Sequence, residues 1–547
     1  MNNPRWLALA CCLLFVVQGL AFLPRLGVQY DEALFARGIY PPTLVEYKLE
    51  PPGLPLMLMS YIGALKMWLY YPILSGFHPS PYSLRLPVLL IGALTIWLFF
   101  VFLRLCLDSR AALIGCLLLA TDSIYLLTTC FDWGPVALQH LLLLCGLIAG
   151  VQTYRSQSPV WAGAAGLSCG LALWDKATFL WVLAGLLVAV VILFPREALK
   201  TLRSRPIARS GAITFLAGAA PFLIYNLASG GGAFTTTARL SLTGMAEKLK
   251  VFGYALDGSA LFDYLVRSDP TGSLLASVSG LGKAPVFISE LFGRPQSSLQ
   301  IWAVLVAVLF VPFLRDQRAR RMALFALTAG LTSLLLMLFT AKGGESVHHH
   351  VILWPLPQIL LTMALLEVAV RWGRWERPVR AGLVTVLCLS NLLVANQYLK
   401  QLVAYGPPPA WSDAIYPLSR YLDSIRPQSV FAVDWGIYEP LRFLGGGRLP
   451  LVPVSDAMMV EERYDDDRLT SSLASQQTVF VSYTDANEIF PGVNKRLQEF
   501  ALRNHYRKKP LEVIRDNKRR PIFEVFGFSP IGPQAEFSPS ARGGGFQ

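Results

Sequence analysis

Two carboxylates, Asp31 and Glu32, stand side by side in Tyr30-Asp31-Glu32-Ala33, just after the first apolar run of the chain. A carboxylate at the edge of a cavity can take a proton from an attacking hydroxyl. Neighbours on a helix point about 100° apart, so the two cannot share one task. One would serve as general base, and the other would orient the acceptor or hold a metal. The same residues also suit a plain helix start, with Asp31 as cap and Glu32 complementing the dipole. The sequence leaves both readings open.

Other candidates follow at wide intervals. Lys48 and Glu50 precede Pro51-Pro52, which fix an extended approach. Arg85 sits in Leu84-Arg85-Leu86-Pro87, and its forked donors suit a lipid-linked phosphate, or else it snorkels to head groups. Asp132 precedes Trp133-Gly134-Pro135, where capping competes with a site role. Asp175-Lys176 fills a very short turn, as a local ion pair or as a device to orient a phosphate or the base. Glu345 and the run His348-His349-His350 form the densest metal-capable group. Three consecutive His cannot converge on one ion, but His348 or His349 with Glu345 could hold a divalent cation. The competing reading is interfacial His at the start of a helix.

The elements that must position these residues are apolar. Of 547 residues, 54% are hydrophobic and 15% charged, too apolar for a soluble chain of several domains. Eleven runs are long and apolar enough for membrane crossings: 6–23, 84–103, 111–127, 135–151, 160–174, 177–194, 211–227, 299–314, 322–340, 351–370 and 381–399. A twelfth, 53–74, carries Pro55, Lys66 and Pro72. With the N-terminus inside and 53–74 not crossing, the inside segments hold 17 basic and four acidic residues, which is the whole net charge of +13. The basic excess therefore reports topology, and nucleic-acid binding is excluded as its explanation. Run 53–74 is read as amphipathic or re-entrant helix at the outer surface. The first run continues past any small-residue cleavage site, which favours an uncleaved helix over a signal peptide. All the candidate site residues then fall on the outer side, in 24–83, at the outer start of run 84–103 (Arg85), in 128–134, in the turn at 175–176 and in 341–350. A long outer loop covers 228–298.

Residues 401–547 carry 17 basic and 17 acidic residues and alternate short β-rich and helical runs. Strands are expected at 429–434, 478–483, 511–514 and 522–526, and helices at 413–425, 438–444 and 495–506. The expected organisation is a membrane domain over 1–400, a small α/β domain outside the membrane over 401–536, and a disordered tail over 537–547. The eight cysteines lie in or beside apolar runs without a CxxC pair, as core residues. Walker A, GxGxxG, GxSxG, HExxH and EF-hand patterns are lacking.

Four features together resemble the GT-C glycosyltransferases, in particular the protein O-mannosyltransferase and aminoarabinose transferase group. They are Asp31-Glu32 after the first helix, Pro51-Pro52 followed by Gly53-Leu54, Arg85-Leu86-Pro87 opening the second crossing, and Trp174-Asp175-Lys176-Ala177 between two helices. The resemblance covers most of residues 1–400. It implies a polytopic helical membrane protein of about 11 crossings with a C-terminal domain outside. It implies an inverting transfer of a sugar from a polyprenyl-phosphate donor to a hydroxyl of a lipid, protein or glycan acceptor. By the same resemblance Asp31 is the base, Glu32 assists it, and Arg85, Lys176 and Lys48 face the donor phosphate, with Glu50, Asp132 and Asp175 nearby. Glu50 stands where some relatives have a phosphate-facing Lys, and 228–298 lacks the His that relatives use for a metal. The expected location is a bacterial inner membrane with the site on the periplasmic face. The competing class is a transporter or lipid flippase without chemistry.

Overall fold

The computed structural model describes residues 3–41, 44–51, 53–237, 239–267, 278, 280–454 and 467–531. Pro52 and the expected tail from 537 onward lie outside the described residues. The chain divides into two compact units. One comprises Met1–Tyr416 with Glu439–Arg448, the other Pro417–Tyr438 with Leu449–Gln547.

The first unit is helical, and each of the eleven apolar runs coincides with helix. Its opening helices are α1 (Pro4–Phe22), α2 (Tyr30–Ala33), α3 (Leu65–Gly76) and α4 (Pro81–Cys106). Then come α5 (Ser109–Thr121), α6 (Ser123–Phe131), α7 (Ala137–Ser156), α8 (Pro159–Asp175) and α9 (Phe179–Leu193). Six helices of the chain are long and apolar enough to cross a membrane singly, and three bent pairs raise this to nine among the described residues. The pair α5 and α6 bends by 61°. The runs at 160–174 and 299–314 form shorter helices, Pro159–Asp175 and Gln300–Phe310.

Small residues let backbones approach, which is how apolar helices pack without a hydrophobic driving force between them. Gly166 and Gly170 of α8 show this against the helix Arg205–Ala228. A Cβ would stand 2.1 Å from Gly211 O at the first and 2.3 Å from Phe215 O at the second.

Run 53–74 differs from expectation. Its first half is a hairpin of β2 (Leu54–Met59) and β3 (Ile62–Gly63), joined to β1 (Tyr47–Leu49) in an antiparallel sheet. Only the second half is helix, α3. A short apolar run bounded by Gly and Pro fits strand as well as helix, so its period did not decide. The hairpin docks on the turn after α8: Ala177 N donates to Tyr61 O at 2.9 Å, and Trp174 Nε1 donates to Leu56 O at 2.8 Å.

The second unit carries a five-stranded mixed sheet. Its strands are β4 (Ser429–Ala432), β5 (Leu451–Pro453), β6 (Thr478–Tyr483), β7 (Tyr506–Arg515) and β8 (Pro521–Pro530), in the order β5-β4-β6-β8-β7. The β5–β4–β6 pairs are parallel and the β6–β8–β7 pairs antiparallel. Four of these strands fall where the sequence placed them. The short β5 was not anticipated.

Candidate active site

Asp31 and Glu32 share α2 but face different partners. The helix is capped by Gln29, not by Asp31. The Gln29 side chain accepts from Asp31 N at 2.8 Å and Glu32 N at 3.3 Å, and Glu32 Oε2 accepts from Gln29 N at 3.3 Å. This reciprocal box satisfies otherwise orphaned donors and fixes the two carboxylates in their directions.

Glu32 points into the membrane unit, where Arg85 meets it. Arg85 Nε and Nη2 donate to its two oxygens at 2.5 and 2.8 Å. The remaining Arg85 donors go to Leu23 O, Leu26 O and Gly27 O at 2.7, 3.0 and 2.7 Å. Arg85 is 0% exposed. All five guanidinium N–H groups are thus taken. The expected phosphate role of Arg85 is corrected: it ties the start of α4 to the segment after α1, and Glu32 is its counter-ion.

Asp132 ends α6 in the left-handed conformation, φ 32°. Its Oδ1 accepts from Val136 N and Ala137 N at 2.7 and 3.0 Å, so it closes one helix and starts the next. Its Oδ2 pairs with Lys66 of α3 at 2.6 Å, both side chains being buried. Lys66 belongs to the site region and was not singled out from the sequence, where it served only as a mark against a crossing at 53–74.

Asp175 and Lys176 do not pair directly with each other among the described residues. Lys176 Nζ donates to Gly134 O at 2.9 Å. A Cβ on Gly134 would stand 2.3 Å from His348 Cγ, so Lys176 and His348 meet at this one glycine. Both Asp175 oxygens are buried without a hydrogen-bond partner.

The charges converge on Asp31. Its carboxyl is pushed up to about 6, chiefly by burial, against the pull of Lys176, Arg37 and Gln29. Tyr61 from the hairpin and Tyr264 from the long loop also feel its charge. Asp31 makes no ion pair within 4 Å among the described residues, unlike Glu32 and Asp132. Lys176 is pushed down to about 7 by burial, with Asp175, Asp132 and Asp31 acting in the opposite sense. Tyr264 stands in an aromatic cluster with Trp133 and Trp411, its ring centroid 5.6 and 6.0 Å from theirs. No sequence signal marked Tyr264, because a single tyrosine in a long loop has no pattern.

Two expected members are not brought in. Lys48 pairs with Glu50 at 2.6 Å on the surface, with both side chains more than half exposed. Neither is among the groups whose charge reaches Asp31. The metal set also fails. Among the described residues no three His, Cys, Asp or Glu side chains gather as ligands. Glu345 is exposed, while His348 Nδ1 is bonded to Ser346 Oγ at 2.9 Å and the His348 and His349 rings meet edge to face. The divalent cation expected at Glu345, His348 and His349 does not fit this arrangement.

Residues 64–225 match the family model described as dolichyl-phosphate-mannose-protein mannosyltransferase. No curated protein sequence matches the chain. Among solved structures, ArnT from Cupriavidus metallidurans in the apo state is similar at 15% identity and a TM-score of 0.54, over 94% of this chain and 97% of that one. The apo Archaeoglobus fulgidus oligosaccharyltransferase is 13% identical with a TM-score of 0.46, over 97% and 75%. The chain is an integral membrane protein with the GT-C fold.

Proposed function

We propose that the chain transfers a sugar from a polyprenyl-phosphate donor to an acceptor hydroxyl, with inversion, on the outer face of the membrane. The observation that carries the reading is Asp31: a carboxylate without an ion-pair partner among the described residues, raised toward neutral pH, with the Lys176 cation within electrostatic reach. The description of the family model names a dolichyl-phosphate-linked mannose as donor and protein as acceptor, and the matched residues include Lys66, Asp132 and Lys176.

In this reading Asp31 takes the proton of the acceptor hydroxyl as its oxygen attacks the anomeric carbon. The glycosidic C–O bond breaks on the opposite face, and the electron pair leaves with the polyprenyl phosphate. Negative charge grows on that phosphate, so a fixed cation beside it lowers the barrier. Lys176 fills that role, with two N–H donors left beyond its bond to Gly134 among the described residues. It is covered in this state, so the donor has to part the side chains over it. Asp132 with Lys66, and Glu32 with Arg85, hold the elements around the reacting groups. The C-terminal unit lies on the same outer side in this proposal.

The test uses purified full-length protein in lipid nanodiscs with a panel of undecaprenyl- and dolichyl-phosphate hexoses and pentoses. Release of polyprenyl phosphate in the presence of membrane lipid and protein acceptors supports the reading. Mass spectrometry of lipids, glycans and proteins from a deletion strain then identifies the acceptor. Transport of the intact donor without bond cleavage would overturn it.

A further inference from the structure

Segment Glu439–Arg448 belongs to the membrane unit, although residues on both sides of it belong to the other unit. It clasps the chain that leads away from Asp31. Arg442 Nη2 donates to Arg37 O at 2.8 Å and also to Tyr40 O. Gly447, at φ +73°, backs onto the same stretch, where a Cβ would stand 2.8 Å from Pro41 O.

Glu439 reaches Arg37 itself. Its Oε1 accepts from Arg37 Nε at 2.6 Å, and its side chain is 1% exposed. Its Oε2 lies 3.6 Å from Arg442 Nη1. Arg37 Nη2 donates to the Tyr30 hydroxyl at 2.8 Å, and Tyr30 precedes Asp31. The charge of Arg37 is felt at Asp31. Two carboxylates therefore lie in the field of one guanidinium, and Glu439 holds it.

We propose that Glu439 is a positioning residue: by holding Arg37 it keeps that guanidinium from pairing with Asp31, so that Asp31 stays free to take a proton. The proposal rests on Asp31 as the base. A direct Arg–carboxylate pair is strong and bidentate, and it lowers the proton affinity of the carboxylate it engages. The other groups facing Asp31 are Lys176, Gln29, Tyr61 and Tyr264. None of them is bonded to Glu439 among the described residues.

The test compares wild type, Glu439→Gln, and Glu439→Gln with Arg37→Gln, each full-length in nanodiscs. Two readouts are used. The first is release of undecaprenyl phosphate from undecaprenyl-phosphate mannose across pH. The second is labelling of Asp31 by carbodiimide and glycine ethyl ester at pH 6, read by peptide mass spectrometry. Glu439→Gln is expected to lower release by about tenfold and to move its acidic limb to lower pH. Its Asp31 label should fall. Removing Arg37 as well should return both, with the acidic limb moving to higher pH. A double variant as inactive as the single one, with an unchanged label in all three proteins, would overturn the proposal and leave Glu439 a fold residue. Should Glu439→Gln fail to fold, Glu439→Asp carries the same readouts. If wild type releases no polyprenyl phosphate from any donor of the panel, the catalytic reading fails, while the labelling order still decides which carboxylate Arg37 engages.

Discussion

Glu32 accepts two hydrogen bonds from Arg85, at 2.5 and 2.8 Å, in a space closed to solvent. Its neighbour Asp31, one residue earlier on the same four-residue helix, has no such partner among the described residues. A buried pair costs desolvation to form, but breaking it strands a charge. Glu32→Gln or Arg85→Leu is therefore expected to destabilise the protein by about 3–5 kcal/mol. The double variant Glu32→Leu with Arg85→Leu should recover part of that loss. Thermal unfolding in detergent, followed by intrinsic fluorescence, measures both. Equal midpoints for the single and double variants would contradict the pairing.

Asp31 behaves oppositely. Its proton affinity is raised in the fold, from 3.8 to about 6, mainly by burial. A raised carboxyl contributes stability while protonated, below its unfolded value, and loses it as pH rises through about 6. At neutral pH Asp31→Asn should thus leave the unfolding midpoint unchanged or raise it. Loss of midpoint on that substitution would show that the ionised group is structural.

The pH dependence of kcat/KM should be a narrow bell. The acidic limb is the protonation of Asp31 at about 6, and the alkaline limb is the loss of the Lys176 proton at about 7. Donor phosphate stabilises the charged lysine, so the alkaline limb of kcat should move to higher pH than that of kcat/KM. Donor affinity at fixed Asp31 protonation should weaken as pH rises. A flat profile between pH 5 and 9 would exclude these two groups as the titrating pair.

The approach of Gly63 to the Trp174 carbonyl fixes the turn that carries Lys176. A Cβ at position 63 would stand 1.9 Å from that oxygen. Gly63→Ala should force the hairpin away at a cost of about 1–3 kcal/mol, as overpacking does. It should also raise KM for the donor more than Gly253→Ala, a control with only Ile301 at 3.6 Å. Steady-state kinetics with a polyprenyl-phosphate sugar measures the difference.

Much of the bundle was legible because apolar length alone marks crossings. Every one of the eleven runs is helical, and the charge asymmetry argued against a crossing at 53–74. What the sequence hid is what depends on a distant partner. Arg85 looks like a phosphate ligand until its acceptors are known to be Glu32 and the carbonyls of Leu23, Leu26 and Gly27. Lys66 read as an obstacle to a membrane helix, and only the turn at Asp132 shows its purpose. Asp122 lies inside an expected crossing and went unremarked. It accepts from Gln300, Trp354 and Gln358 at 2.7, 2.8 and 2.9 Å, three residues from remote parts of the chain. Glu439 lay beyond the boundary set at 400, yet it belongs to the membrane unit.

The most direct measurement is donor cleavage by Asp31→Asn, with Asp31→Glu beside it, in nanodiscs at pH 6.5. Release of polyprenyl phosphate by Asp31→Asn should fall by about 10²–10⁴-fold, the usual contribution of a positioned base. The unfolding midpoint should stay at or above the wild-type value, and Asp31→Glu should restore part of the rate. Release by Asp31→Asn within a factor of two of wild type would contradict Asp31 as the base.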